Sequence, residues 1–297
     1  TLLPIISSLT VYPANVYLLV VQGSSTRRDI RTAYVINIIA HIYFDWIFAF
    51  FNRVYIFPPY GLYYCDGIIG RAGLNKRLIM GILASGIPLL MVTFYILMMR
   101  LHHLAIMHTN FRWRFSPTVQ LVIGLSFTIL CGTNLVAFVL FGADVQNYYE
   151  LIKNPELAWL VERGGTLLLF SEPGIHGEMM IEIIFFVFSL VVFFPSFALY
   201  TFHSMIYLKK YSQAAFSAKT MLLTRRLLMT FSFQMRGATI FFMIPLTTII
   251  TMSHIDLSQI LPGSLFAAVR FFSIVLLELN APQFALVFIL RNETHRQ

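Results

Sequence analysis

Long runs of apolar residues, separated by short polar segments, dominate this chain of 297 residues. A bilayer core is roughly 30 Å thick, so a helix that crosses it needs about 20 predominantly apolar residues. The segments that meet this requirement are seven in number, namely 2–22, 33–56, 78–99, 118–141, 181–208, 227–252 and 263–290. The pattern therefore predicts an all-α membrane protein in which residues 1–297 form a single bundle of seven transmembrane helices.

The composition supports this prediction and excludes several other classes of protein. Apolar residues make up 58% of the chain and charged residues only 11%, against about 25% charged residues in a soluble domain. A soluble enzyme, a disordered chain and a small disulfide-rich module are all excluded by these values. The chain begins at Thr1 rather than at a methionine, and we expect that its natural N-terminus is missing.

The net charge of +8 is distributed unevenly among the loops. Thirteen of the 21 Lys and Arg residues fall in segments 23–32, 100–117 and 209–226 and in the C-terminal tail, whereas the alternate loops carry five. Cytoplasmic loops carry the excess of Lys and Arg. This distribution predicts an N-terminus outside the cell and a C-terminus in the cytosol. The positive charge is therefore interpreted as a record of topology, with the lipid bilayer and not nucleic acid as the partner.

The longest loop, 142–180, contains one helix signal. A short amphipathic helix is predicted near 155–163, followed by Gly164 as its stop. Its apolar residues, expected to pack on the bundle or the membrane interface, are Leu157, Trp159 and Leu160. An ordinary loop helix without a ligand role is the alternative.

Ionisable groups inside the predicted spans are few, and each is costly there unless it is paired or hydrated. They are Asp45, Arg53, Glu182, Arg236, Arg270 and Glu278. Arg53 and Glu182 lie near a membrane boundary, where snorkelling explains them. His41 and Asp45 are four residues apart on one helix face, so we expect them to bond each other or water inside the bundle. A structural polar contact there is favoured over a ligand contact.

Arg236 and Glu278 form a second candidate pair. Counted from the inner ends of the sixth and seventh spans, their depths differ by about 4–5 Å. We hypothesise an ion pair between these spans, with two separate hydrated crevices as the alternative.

Arg270 lies in the outer third of the seventh span and is a candidate contact for an anionic or carbonyl-bearing ligand, together with Glu182. Pairing of Arg270 with Asp256 or Glu182 is the alternative. The sequence contains no HExxH, GxSxG, Walker or GxGxxG motif, so no catalytic site, metal site or cofactor is predicted, and the protein is not expected to be an enzyme.

Several stretches resemble the nematode serpentine chemoreceptors, in the superfamily of seven-transmembrane G-protein-coupled receptors that includes classes H and I. The stretches that carry the resemblance are Asp45 followed by PPYGLYYCDG at 58–67, the segment Arg100 to Ile106 with its "RHxAI"-like signature, Leu227 to Pro245 with Gln234, and Asn280-Ala281-Pro282 with Arg291-Asn292. The order of these stretches follows the family along nearly the whole chain. His102 stands where the signature has arginine, with Arg100 two residues away.

The resemblance implies a chemosensory receptor that lies in the plasma membrane of sensory-neuron cilia and binds a small-molecule odorant or pheromone. It further implies signalling to a heterotrimeric G protein. Under this reading the ligand would occupy an outer-half cavity between the third, fifth, sixth and seventh helices. The residues expected to contact the G protein are Arg100, His102, His103, Lys209, Lys210, Arg225 and Arg226. Topology and lipid headgroup binding are the simpler explanation for the same residues.

Two further expectations concern Cys65 and an alternative function. Rhodopsin-like receptors usually join the third span to the second outer loop by a disulfide, but residues 142–180 contain no cysteine, so Cys65 is expected to be free. A small multi-pass transporter or channel subunit is the alternative function, although no internal repeat is visible.

Overall fold

The protein folds around long apolar helices, which a computed structural model describes for residues 3–22, 28–57, 62–106, 116–141, 153, 157–169, 178–215, 218–254 and 260–291. Among these residues, six helices are long and apolar enough to cross a membrane, and a further apolar helix, Ile5–Val20, is shorter. The prediction of a seven-helix membrane bundle is therefore confirmed. The orientation of the termini stays a prediction.

The helices are numbered in chain order. They are α1 (Leu3–Leu9), α2 (Val11–Tyr17), α3 (Arg28–Asp45), α4 (Ile68–Arg71), α5 (Lys76–Ile106), α6 (Pro117–Phe141), α7 (Ala158–Glu162), α8 (Glu178–Ala215), α9 (Ala218–Ala238), α10 (Ile244–His254) and α11 (Gly263–Arg291). Helix α5 packs against α3, α6, α8 and α9, so it lies at the centre of the bundle. Helix α11 packs against α2, α9 and α10.

Turns of π-helix interrupt three of the spans, at Leu18–Gln22, Trp46–Phe51 and Thr239–Met243. The last of these lies directly before Pro245, the second residue of α10. Proline has no amide hydrogen and its ring clashes with the carbonyl four residues earlier, so the preceding turn widens. The sixth span therefore has a local irregularity between α9 and α10.

The second span ends earlier than the predicted boundary at residue 56. Its final π turn ends at Asn52, whose backbone N–H donates a hydrogen bond to the Ile47 carbonyl at 3.0 Å. Arg53 then adopts a φ of 46°, in the left-handed region, and reverses the chain. The apolar residues that follow form a strand instead of continuing the helix, because they have a partner strand with which to bond.

A three-stranded antiparallel sheet, in the order β1-β2-β3, covers one end of the bundle. Strand β1 (Val54–Phe57) pairs with β2 (Leu62–Cys65), and β2 pairs with β3 (Thr166–Leu169). The sheet thus joins the connection after α3 to the connection before α8. We call this the hairpin end of the bundle, and the end at which α3 begins and α5 finishes the opposite end.

Helix α7 packs on this sheet. Leu157 and Leu160 are buried against Leu62, Tyr64 and Leu167. This corrects the expectation that the helix near 155–163 packs on the bundle or the membrane. Trp159 is 45% exposed and its ring lies edge-on to Phe57 at 6.2 Å. The apolar side of α7 therefore faces the three-stranded sheet, which was not predicted from the sequence.

The carboxylate of Asp66 lies between two arginines next to the sheet. Asp66 accepts hydrogen bonds from Arg71 at 2.8 Å (Nε) and 2.5 Å (Nη2), and Arg163 Nη2 lies 3.2 Å from its other oxygen. Burial by itself raises the pKa of Asp66. The hydrogen bond and charge of Arg71 outweigh this effect, together with the charge of Arg163 and the hydrogen bond from Tyr64. The pKa of Asp66 is therefore held below its usual value. The two connections are thereby linked by charge as well as by strand pairing.

Cys65 lies inside this sheet and forms no disulfide within the described residues. It is fully buried, and burial raises the pKa of its thiol to about 12. Gly70 packs so closely that a Cβ there would lie 2.2 Å from the Cys65 carbonyl oxygen. Hydrogen bonds, ion pairing and close backbone packing therefore join the two connections without a disulfide.

Candidate functional site

A cavity of about 360 Å³ opens at the hairpin end, between the second span, strand β1 and helix α11. Its lining residues are Phe48, Ala49, Arg53, Val54, Tyr55, Ile56, Ile274, Leu277 and Glu278. Most of these are apolar or aromatic, as is typical of small-molecule sites. Among its described lining residues, the cavity shares only the seventh span with the cavity predicted between the third, fifth, sixth and seventh spans, and strand β1 takes part in it.

Strand β1 enters the bundle because its apolar side chains have a core to join. Ile56 belongs to one buried cluster with Phe44 of α3, Leu90 of α5, and Phe242 and Leu246 of the sixth span. The wall of the cavity therefore belongs to the same buried cluster as Phe242 of the π turn Thr239–Met243, whose ring contacts Phe44 at 5.5 Å.

Among the described residues that line the cavity, Glu278 is the only acidic one and Arg53 the only basic one. Within the described part of the chain, Glu278 makes no hydrogen bond or ion pair with a protein group, and Arg53 lies beyond ion-pair distance of it. The cavity thus carries a half-buried carboxyl group without a protein partner.

Asp45 lies close enough to Glu278 for their charges to interact. Its partner is Tyr12, whose hydroxyl donates to Asp45 Oδ2 at 2.7 Å. His41 instead hydrogen-bonds the Asn37 carbonyl at 2.8 Å through Nδ1 and stacks on Phe284 at 4.5 Å. The expectation that His41 and Asp45 bond each other is therefore corrected, because each has a partner on another element or turn.

The hypothesis of an ion pair between Arg236 and Glu278 is also corrected. Gln234 donates to the Phe284 carbonyl at 2.9 Å, which aligns α9 with α11 and separates the two charges by about 6 Å along the axis. Arg236 also faces away from the bundle, with its guanidinium 5.4 Å from the ring centre of Phe233. Because Arg236 faces outward, its side chain can extend towards the polar membrane surface. Glu278 instead lines the cavity.

The structure does not test whether the two predicted ligand contacts, Arg270 and Glu182, meet. Arg270 lies on α11 about 12 Å before Glu278 along the helix and does not line the cavity. Glu182 lies in α8, but its side chain is outside the described residues, as is Asp256. A ligand role for Arg270 and Glu182 stays a prediction.

Arg100 lies at the opposite end, where it is exposed in an open groove between α3 and α5. The groove has a volume of about 640 Å³ and is lined by Arg28, Asp29, Thr32, Ala33, Ile36, Ile96 and Arg100. Arg100 therefore points to the side of the bundle rather than into its centre.

His102 is the residue of this segment that points inward. It is 6% exposed, and its Nε2 lies 3.0 Å from Nδ1 of His203 in α8, with the Tyr200 ring 4.7 Å away. His103 hydrogen-bonds Gln120 of α6 at 2.9 Å. His102 therefore joins α5 to α8, and its role as a G-protein contact stays a prediction.

The remaining basic residues predicted to meet a partner lie at the same opposite end. Lys209, Arg225 and Arg226 are exposed, and the side chain of Lys210 is outside the described residues. The last part of α8 and the first part of α9 therefore present at least three cationic side chains.

Two features were missed by sequence reasoning. The strands were hidden because Val54 to Phe57 continue the apolar run of the second span, although the turn-forming segment Pro58-Pro59-Tyr60-Gly61 signals a hairpin. The role of Glu278 was misassigned because helix rotation is not readable from an almost uniformly apolar segment. Among the described residues, no group of three or more His, Cys, Asp or Glu side chains is placed to hold a metal ion.

Seven apolar helices around a small cavity at one end are the architecture of a seven-helix membrane receptor. The chain belongs to the serpentine type 7TM GPCR chemoreceptor Srh family, whose sequence model matches residues 4–276. The predicted resemblance to serpentine chemoreceptors is confirmed, and the family is one of receptors, not of enzymes. Comparisons with curated proteins and with solved structures gave no match.

Proposed function

We propose that this chemoreceptor-family protein binds a small-molecule odorant or pheromone in the cavity at the hairpin end and signals to a heterotrimeric G protein at the opposite end. The observation that carries the proposal is a largely apolar cavity of about 360 Å³ that contains a carboxyl group without a partner. Polar groups of this kind orient a ligand, while the apolar walls bury it.

The hairpin end is proposed to face the cell exterior, in the plasma membrane of sensory cilia. The distribution of basic residues supports this orientation, since Arg28, Arg100, Lys209, Arg225 and Arg226 share the opposite end. Positively charged loops are retained on the cytoplasmic side.

Ligand binding is proposed to act through strand β1. Ile56 packs in one cluster with Phe242, which lies in the π turn of the sixth span. A ligand that fits better when β1 and this turn have shifted stabilises the shifted state by the difference in its affinities. The irregular segment before Pro245 provides a position at which the span can bend.

The G protein is proposed to bind the exposed cations in the last part of α8 and the first part of α9. Arg225 and Arg226 are exposed and adjacent, so replacing both with Gln removes two positive charges without altering the core. The matched control is Lys153→Gln, which removes an exposed charge from the connection before α7.

The test uses the full chain expressed in cells, with a screen of volatile and polar small molecules read out by G-protein dissociation at the membrane. We expect a concentration-dependent response that the double Gln variant weakens and Lys153→Gln leaves unchanged, at equal surface expression. A chain that reaches the surface and never recruits a G protein, or that conducts solutes instead, overturns the proposal.

A further inference from the structure

The carboxyl group of Glu278 has surroundings that call for a cation. It lies among Ile274, Leu277 and Val54 at the cavity wall. Taking an ionisable group out of water without a partner is costly, and inside a membrane bundle such groups pair or contact a substrate. No described protein cation lies within ion-pair distance of it.

A second acid, Asp45, lies close enough to Glu278 for their charges to interact. Its only hydrogen-bond donor among the described residues is the neutral hydroxyl of Tyr12, so it brings no cation to Glu278. Opposite charge is attracted more strongly in a poorly hydrated cavity than in water. The carboxyl group of Glu278, which lines the cavity, therefore favours a positively charged ligand over a neutral or anionic one.

Arg53 lines the same cavity but does not neutralise Glu278. Its backbone is held in the left-handed region by the turn between the π helix and β1, and its side chain is exposed. Arg53 is thus a competitor for a cationic ligand, and its removal is expected to favour such a ligand.

The aromatic walls supply the rest of the recognition. The rings of Phe48 and Tyr55 line the cavity, and Phe48 stacks on Phe44 at 5.1 Å, which limits its movement. Aromatic faces attract ammonium groups and also pack against aryl or alkyl groups.

We propose that the cavity recognises a small primary amine, with its ammonium group at Glu278 and its aryl or alkyl group between Phe48 and Tyr55. This inference rests on the proposed function for its biological meaning, but the binding itself is measurable without a G protein.

The experiment measures binding of three matched probes to the full chain in lipid nanodiscs: 2-phenylethylamine, 2-phenylethanol and 3-phenylpropanoate. Binding is read from the rise of the unfolding midpoint with probe concentration. We expect 2-phenylethylamine to bind at least about tenfold more tightly than the other two, a difference that corresponds to about 1.4 kcal/mol.

Three variants locate the ammonium group. Glu278→Gln keeps the shape of the side chain and is expected to remove the preference for the amine. Arg53→Gln is expected to strengthen amine binding, because a competing cation is lost. Lys153→Gln, at an exposed position that does not line the cavity, is the charge-matched control and is expected to change nothing.

The outcomes separate this inference from the proposed function. Preference for the alcohol or the carboxylate, or an amine preference that survives Glu278→Gln, overturns the inference and leaves receptor function standing. Amine binding that requires Glu278 supports the inference, even where no G-protein response follows, in which case the proposed function fails.

Discussion

The hydrogen bond between Tyr12 and Asp45 makes a quantitative prediction about the bundle. The two side chains are 2% and 3% exposed, and the O–H···O distance of 2.7 Å is near the optimum for a hydroxyl donor. It joins the first span to the second across 33 residues of sequence. Replacing Tyr12 with Phe deletes the donor and retains the ring, so the perturbation is confined to the hydrogen bond.

Two measured ranges bound the expected cost. Leaving a buried acceptor without its donor costs about 1–3 kcal/mol in soluble proteins. Hydrogen bonds between membrane helices average about 0.6 kcal/mol, with a maximum near 1.7 kcal/mol. Because the acceptor is a buried carboxyl group beside a second acid, we expect a loss of about 1–2 kcal/mol. That loss corresponds to a fall of roughly 2–4 °C in the unfolding midpoint.

The protein carries its own reporter for this assay. Cys65 and Cys131 are 0% and 2% exposed, so a thiol-reactive fluorogenic dye labels them only as the fold opens. Tyr17→Phe, at a 59% exposed position of the same helix, is the control and is expected to shift the midpoint by less than about 1 °C.

A double-mutant cycle isolates the pair. With Asp45 replaced by Leu, Tyr12→Phe is expected to cost nothing further, because no acceptor is left unpaired. The reasoning is refuted if Tyr12→Phe behaves like Tyr17→Phe, or if the two substitutions add independently.

Three further predictions concern the hairpin end. Gly70→Ala places a Cβ 2.2 Å from a backbone oxygen and is expected to lower stability by about 1–3 kcal/mol, whereas Gly124→Ala, with open space around it, is not; thermal unfolding of both variants checks this, and equal midpoints contradict it. Because the folded pKa of Asp66 is held below its usual value near 4, its stabilising effect is present above that value and is lost as the pH falls below it; Asp66→Asn is expected to flatten the acid limb of the stability curve, and an unchanged limb contradicts this. The thiol of Cys65 is buried and its pKa is raised to about 12, so we expect it to resist iodoacetamide at about pH 8 until the protein unfolds. Alkylation of Cys65 in the folded protein, detected by mass spectrometry, contradicts the burial of this residue.

How far the sequence predicts this protein depends on the kind of information each feature needs. The spans follow from local composition, since about 20 apolar residues in a row suffice to cross a bilayer. Helix α11, Gly263–Arg291, accordingly lies within a residue of the predicted span 263–290. The strand at Val54–Phe57 was missed because its residues continue the apolar run of the second span, and the sheet as a whole was missed because β3 follows β2 by about 100 residues.

The candidate site shows the same division. That Glu278 and Asp45 lie inside spans is legible in the sequence, and so is the cost of leaving them without partners. The sequence does not show which residues they contact. The lipid-facing and core-facing sides of a membrane helix are both apolar, so the hydrophobic pattern says little about how a helix is rotated about its axis. Arg236 was therefore paired with Glu278, although it faces outward over Phe233.

The sequence by itself determined that this is a seven-helix membrane protein, where its charges are concentrated and which acids are buried at a cost. Only the tertiary structure decided that β1 enters the bundle, that Tyr12 bonds Asp45 and that Glu278 faces a cavity. The physical reason is that hydrophobicity is a property of each segment, whereas helix rotation and strand pairing depend on contacts between residues far apart in the chain.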